Sequence, residues 1–343
     1  MTVVFDKENA ISFFKQIDDS DIGEDIINLL KRQLSLQFNF ELDNIDEALE
    51  FQILEFIEAG GRIERGLTIS FKNGKDYTEP FCLENITKNN DVFLLESITN
   101  KVKKSNKVYS GTIGEEIDIL SKLFLNKNDL STHESITIGS DSFKSWRDIE
   151  RYSTPFSTLL VVDRYMFKGS ETGGNLGMFD YNLKEIIATL FKNINHRANL
   201  IFIYQINISV PLTNLQYDEG PDQVKLRQKV KNATKIYNKY CPEPNISFVA
   251  VPKGQIKDEH DRYIISDYIK IKSGDSIVYF DSQSNIISNS NDFDIYSLAK
   301  KQYESTTKNL VVKLNSTVNE TLRTFKRRCL LHDDTITSNL ISF

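Results

Sequence analysis

Three short apolar runs constrain the fold most: Leu159-Leu-Val-Val-Asp-Arg-Tyr-Met166, Leu200-Ile-Phe-Ile-Tyr204 and Ile246-Ser-Phe-Val-Ala-Val251. Runs that are apolar on successive residues suit strands buried on both faces, and such strands need helices to cover them. The segments between the runs are long enough to supply those helices, near 180–194 and 222–240. Strands alternating with helices predict βαβ units in a predominantly parallel sheet, whose ligand-bearing side chains lie at the carboxyl ends of the strands. Residues 143–343 therefore read as an α/β domain, entered by a Trp146-containing helix that leads through Pro155 into the first strand.

Residues 1–142 follow a different pattern. Short helices are expected at 7–17 and 20–33, the second with Ile22, Ile26, Ile27, Leu29, Leu30 and Leu34 near helical spacing. In Leu34-Ser-Leu-Gln-Phe-Asn-Phe-Glu-Leu42 every second residue is apolar, the mark of a half-buried strand, and Leu67-Thr-Ile-Ser-Phe71 before Asn73-Gly74 repeats it with a turn. Thr112 and Glu115 have capping-box spacing at the head of a helix over 112–125. These signals predict a mixed α+β N-terminal domain, read as a partner- or substrate-recognition unit because it carries no recognisable chemistry.

The chain of 343 residues, 40% hydrophobic and 26% charged, is long enough for two such cores. No window approaches the roughly 18 consecutive apolar residues of a membrane span, and Met1-Thr-Val-Val-Phe-Asp-Lys7 lacks the pattern of a secretory leader. Cys82, Cys241 and Cys329 are odd in number and far apart, which suits neither a disulfide framework nor a thiolate metal site. The expected compartment is the cytoplasm, and the Asn-, Lys- and Ile-rich vocabulary suggests an AT-rich bacterial genome. The net charge of −6 hides an asymmetry: residues 1–150 carry 17 Lys and Arg against 28 Asp and Glu (net −11), and residues 151–343 carry 25 against 20 (net +5). An acidic first half is a poor platform for phosphate backbones and a candidate surface for a protein partner, whereas the second half is locally suited to a phosphate.

The string His260-Asp-Arg-Tyr-Ile-Ile-Ser-Asp267-Tyr-Ile-Lys-Ile-Lys-Ser-Gly274-Asp-Ser276 carries the chemistry. Two residues apart in an extended segment, His260 and Arg262 project from one face, and Ser266-Asp267 predicts a turn into a return strand where Ile269 and Ile271 alternate with Lys270 and Lys272. An imidazole beside a guanidinium suits a phosphodiester. The imidazole can attack phosphorus or transfer a proton, while the guanidinium holds non-bridging oxygens in bidentate fashion.

The spacing of His260, Arg262, Asp267 and Gly274 resembles the His-x-Lys-x4-Asp-x6-Gly-Ser signature of the phospholipase D superfamily, and residues 155 to 281 are similar to a single repeat of that fold. The resemblance implies metal-independent, cofactor-free phosphodiester chemistry, with His260 as nucleophile or acid, Arg262 on the phosphate and Asp267 tuning the imidazole. Arg262 stands where active members have Lys, and Asp275 where the pattern has Ser, with Ser276 next. Active members oppose two motifs, and here the motif occurs once, so the resemblance implies a homodimer that pairs His260 with its symmetry mate. The His-Asp-Arg form is also similar to the phospholipase D-like domain at the C-terminus of MIT-domain proteins, a non-catalytic binding module for lipid headgroups. A nuclease in a bacterial defence or mobile-element system, and an inactive scaffold for nucleic acid, lipid headgroup or protein, both stay open.

Several side chains support either reading and have plainer ones too. Asp163 and Arg164 end the first strand of the domain, where they orient His260, contact phosphate or form a strand-end ion pair. The glycine-rich stretch Gly169–Gly177 fits a flexible loop and matches neither nucleotide-binding pattern. Arg227, Lys231, Lys235 and Lys239 form a ridge at four-residue spacing on the helix at 222–240, either a nucleic-acid contact or a solvated face. Arg323, Lys326, Arg327 and Arg328 repeat the basic theme after a helix expected near 293–308.

Overall fold

The computed structural model describes residues 2–32, 34–38, 40, 45–63, 92–95, 109–125, 133–141, 143–163, 177–192, 194, 197–206, 235, 238–239, 245–252, 261–274, 277–287, 292–325 and 330–332. Two sheets organise them. The first is built from β1 (Thr2–Phe5), β2 (Ser35–Phe38), β3 (Val92–Leu94) and β4 (Tyr109–Gly111) in the order β2-β1-β3-β4, every neighbouring pair parallel. Around it lie α1 (Lys7–Asp18), α2 (Gly23–Arg32), α3 (Glu47–Glu58) and the short α4 (Glu116–Leu120). Asp6 follows β1 and caps α1 by accepting from the Asn9 N–H at 2.9 Å, and Asp46 caps α3 by accepting from Leu49 N–H at 2.9 Å.

This corrects the expectation of a mixed α+β unit, because the described strands of the first sheet are all parallel. A period of two reports one wetter face and not strand direction, which is set by the connection. The pair α1–α2 carries the chain from β1 back to the same end of the sheet before β2 begins. The strand expected at 67–71 lies outside the described residues. The helix expected over 112–125 is divided into α4 and a π-helical turn, Ser121–Leu125, while the Glu115 carboxylate accepts from Thr112 N–H at 3.2 Å and its hydroxyl at 2.7 Å.

Glu116 ties this unit together. Fully buried at the start of α4, its Oε2 accepts from Ser12 Oγ at 3.1 Å, Gln16 Nε2 at 3.3 Å and Gly114 N–H at 2.9 Å. Burial outweighs these bonds and raises the carboxyl above its ordinary 4.5. A raised folded-state value means that its stabilising contribution is complete below about pH 4.5 and is lost as pH rises through the folded value. Glu116→Gln does not titrate. Its urea midpoint relative to wild type is expected to climb between about pH 4 and pH 8, and a constant difference would show that the carboxylate ionises without penalty.

The second sheet has eight strands in the order β12-β8-β7-β6-β9-β10-β11-β5. They are β5 (His133–Thr137), β6 (Thr158–Val162), β7 (Asn199–Ile206), β8 (Asn245–Pro252), β9 (Arg262–Ser266), β10 (Ile269–Ser273), β11 (Asp292–Ser297) and β12 (Leu330–His332). Its edge strand β5 precedes the boundary expected at 142/143. Parallel pairing joins β8, β7 and β6, and every other pair is antiparallel, so the expected predominance of parallel pairing gives way to a mixed sheet. The reason lies in two local patterns. Ser266 closes a tight turn by accepting from Tyr268 N–H at 3.2 Å and Ile269 N–H at 3.1 Å, which folds β10 back on β9. Residues 292–297, expected to open a helix near 293–308, form β11 instead, with Phe293, Ile295 and Ser297 buried between the wetter Asp292, Asp294 and Tyr296. The helix α6 (Lys301–Phe325) follows.

Helices cover both faces of this sheet. A 3₁₀ helix, Trp146–Tyr152, and α5 (Gly177–Leu190) cover one face, where Ile149, Leu183, Ile186 and Ile187 meet Leu159, Val161, Phe202 and Ile264. On the other, Val311, Leu314 and Val318 of α6 meet Leu160, Val162, Ile203, Tyr263 and Ile265. Truncating one of these α6 residues, Leu314→Ala, is worth about 2–5 kcal/mol by the usual cost of a core cavity. Among the described residues no helix is long and apolar enough to cross a membrane.

Candidate functional site

Strand β9 runs antiparallel to β6, with Tyr263 opposite Val162, so Arg262 comes level with Asp163 at the carboxyl end of the parallel strands. Alternation turns Arg262 and Ile264 toward the α5 face and Tyr263 and Ile265 toward α6. The Arg262 Nε lies 3.7 Å from the Asp163 carboxylate, and Nη1 donates to the Gly274 carbonyl at 3.3 Å. Both charged side chains are almost wholly buried, at 5% and 2% exposure, which makes this a desolvated ion pair and not a surface one. Two residues of the expected site, Asp163 and Arg262, thus meet Gly274 of the motif at the rim where α/β sheets place ligands.

Asp267 is not brought to this cluster. It lies at the opposite end of β9, about 16 Å from Arg262 by the rise of a five-residue strand. There its carboxylate accepts from the Ser157 N–H, just ahead of β6. Burial raises its proton affinity, with the Ser157 and Thr158 amides pulling the other way. Its role in the described structure is to anchor the β9–β10 turn to the start of β6. In the motif, therefore, the cation and the glycine belong to one edge of the sheet and the aspartate to the other.

His260, Arg164, Ser276, Arg227 and Lys231 lie outside the described residues, as does most of the helix expected at 222–240. Lys235 is exposed. Next to His260 in sequence, Asp261 is half-buried on the α6 face, where its Oδ2 accepts from Tyr263 Oη at 3.2 Å and pairs with Lys272 Nζ at 2.9 Å. His133, outside the motif, lies 2.8 Å from the Asp294 carboxylate and stacks on Tyr296 with ring centroids 4.6 Å apart.

On the α6 face the same three antiparallel strands form a groove absent from the site read in the sequence. Its volume is about 420 Å³, with Tyr263, Lys270, Lys272 and Tyr296 as floor and Tyr303, Thr306, Asn309, Leu310 and Lys313 as wall. The signal was present in Ile269-Lys-Ile-Lys272, since a strand that buries two isoleucines on one face presents two lysines on the other. The tyrosines came from separate segments, which only the β9–β10–β11 register brings together. Burial, and then the neighbouring Lys272, lower the proton affinity of Lys270.

Among the described residues no group of three or more His, Cys, Asp or Glu is placed to hold a metal ion. Compared with protein-family models and with curated proteins, the chain matches none of them.

Proposed function

We propose that the chain engages phosphodiesters at the carboxyl edge of the second sheet, as a phospholipase D-like nuclease in which a homodimer opposes two copies of His260. The observation that supports this reading is the placement of Arg262, which the Asp163 carboxylate and the Gly274 carbonyl fix at the ligand-bearing rim. In this mechanism His260 of one subunit attacks phosphorus, the partner's His260 protonates the leaving oxygen, and water then releases the phosphohistidine. Arg262 supplies positive potential from below and organises the start of β9. Asp267 acts at a distance, by holding the turn.

A second reading has its own support. With its guanidinium buried and engaged by Asp163 and Gly274, Arg262 is poorly placed to clamp a diester directly, which favours a binding or scaffolding module that kept the fold and lost the chemistry. A His260→Ala variant separates the two on a fluorescent oligonucleotide in EDTA, with the mass of the assembly measured by light scattering. Cleavage by a dimeric wild type that falls by about a thousandfold or more in the variant supports the nuclease. Oligonucleotide binding without cleavage in either supports the module.

A further inference from the structure

We propose that the groove between β9–β10–β11 and α6 is a binding site for a phosphate ester of nucleotide size. It lies on the opposite face of the sheet from Arg262 and stands whether or not His260 reacts.

Charge is the first reason. Three ammonium groups line the groove: Lys270 and Lys272 from β10, and Lys313 from α6. Lys272 is matched by Asp261 at 2.9 Å, and the nearby Asp294 carboxylate is engaged by His133 at 2.8 Å. Among the described residues no carboxylate lies within ion-pair distance of Lys270 or Lys313. The Lys270 ammonium rests instead over the Tyr296 ring, 4.4 Å from its centroid, half-buried and beside a second lysine. Holding like charges together in a partly desolvated groove is unfavourable until an anion arrives, and burial and then Lys272 lower the proton affinity of Lys270, with Asp294 and Asp261 pulling the other way. A phosphate is suited to convergent lysines, which act on it as point charges without the planar match that a carboxylate takes from arginine.

Size and lining give the rest. A volume of about 420 Å³ falls within the range of small-ligand sites and exceeds what inorganic phosphate needs. On α6, Tyr303, Thr306, Leu310 and Lys313 recur at spacings of three and four, so one stripe of the helix presents a ring, a hydroxyl, an apolar side chain and a cation in turn. The apolar members suit a sugar or base, and Asn309 and Thr306 offer hydrogen-bonding groups. The phosphate ester has two sources, a free mononucleotide or the terminal nucleotide of a strand.

The test is calorimetric titration of the full chain with adenosine 5′-monophosphate, adenosine and a 5′-phosphorylated tetrathymidylate. Adenosine monophosphate is expected to bind one per chain, with adenosine at least tenfold weaker. Lys313→Gln, at an exposed position, and Lys270→Met, which keeps the apolar stem, are each expected to weaken binding about tenfold. A tetranucleotide that binds tenfold tighter than the mononucleotide and is weakened by both lysine substitutions identifies a strand end in the groove, and equal affinities identify a free nucleotide. No phosphate-dependent binding below about 10 mM, or affinities unmoved in both lysine variants, would overturn the assignment. Loss of cleavage in His260→Ala alone bears on the rim and leaves the groove standing.

Discussion

Replacing Arg262 with alanine is expected to destabilise the fold by about 3–5 kcal/mol, the usual result of removing one partner from a buried ion pair. The Asp163 carboxylate, at 2% exposure, would stay buried beside β7 while losing the guanidinium 3.7 Å away, and the Gly274 carbonyl would lose its donor. Desolvation of the remaining charge, and not the attraction lost, sets this cost. Removing both charges together, Asp163→Asn with Arg262→Met, is accordingly expected to recover most of it, because the two replacements are close in volume and leave no buried ion. Arg262→Lys keeps the charge that active phospholipase D-like motifs carry but loses the fork that spans Asp163 and Gly274, and is expected to fall between wild type and Arg262→Ala. Urea denaturation of the four proteins measures all of this. A cost below about 1 kcal/mol for Arg262→Ala would mean that the pair is not structural and that the guanidinium is available to a ligand.

The fold was legible where burial acts through continuous runs. The strands β6, β7 and β8 fall on the three apolar runs, and α1, α2 and α5 fall close to their expected spans, because each element is specified by its own periodicity. Strand direction was legible for β6, β7 and β8, which long connections join in parallel, but not for the antiparallel strands around them. The alternation in Asp292-Phe-Asp-Ile-Tyr-Ser297 also places apolar residues close to helical spacing, and β11 is a strand because β10 and β5 offer it partners on both sides. Strand β1 was missed altogether, although Thr2-Val-Val-Phe5 followed by the Asp6 cap is a compact strand-to-helix signal. At four residues it lies below the length at which a pattern stands out, and its four buried side chains become decisive only as the centre of a parallel sheet.

At the candidate site, spacing gave the neighbours of Arg262 only in part. Gly274 returns to it because the β9–β10 hairpin pairs Arg262 with Ser273, a relation that counting residues across a turn can anticipate. Asp163 reaches it from about a hundred residues away through the β6–β9 pairing, which no local pattern encodes. Asp267 lies away from Arg262 for the same reason that Gly274 lies beside it: the motif runs the length of a strand, turns and comes back, so its middle belongs to the far edge. The lysine groove was hidden because its floor and wall join β9, β10 and β11 to a helix whose start was expected inside a strand.

Asn182→Leu is the second substitution with a large expected effect, about 4 kcal/mol or more, although Asn182 touches neither site. The Asn182 side chain is fully buried on α5, and its Oδ1 accepts from Trp146 Nε1 at 2.8 Å and from the backbone N–H groups of Tyr279 and Phe280, both at 3.1 Å. Its Nδ2 donates to the Phe280 carbonyl at 2.6 Å. One amide thus holds the 3₁₀ helix and the segment after β10 against α5. Leucine has similar volume, so packing survives, but three buried donors lose an acceptor, each at about 1–3 kcal/mol with some relief from relaxation. Trp146→Phe removes one of those donors along with the indole. It is therefore expected to cost less in the Asn182→Leu background than in wild type, a coupling of about 1 kcal/mol or more in a double-mutant cycle. Trp146 is the sole tryptophan and stacks on Tyr279 with ring centroids 5.3 Å apart, so its emission reports the same event. A red shift in folded Asn182→Leu would mean that water has reached the orphaned N–H, whereas unchanged emission and a loss under about 1 kcal/mol would show that the amide is dispensable.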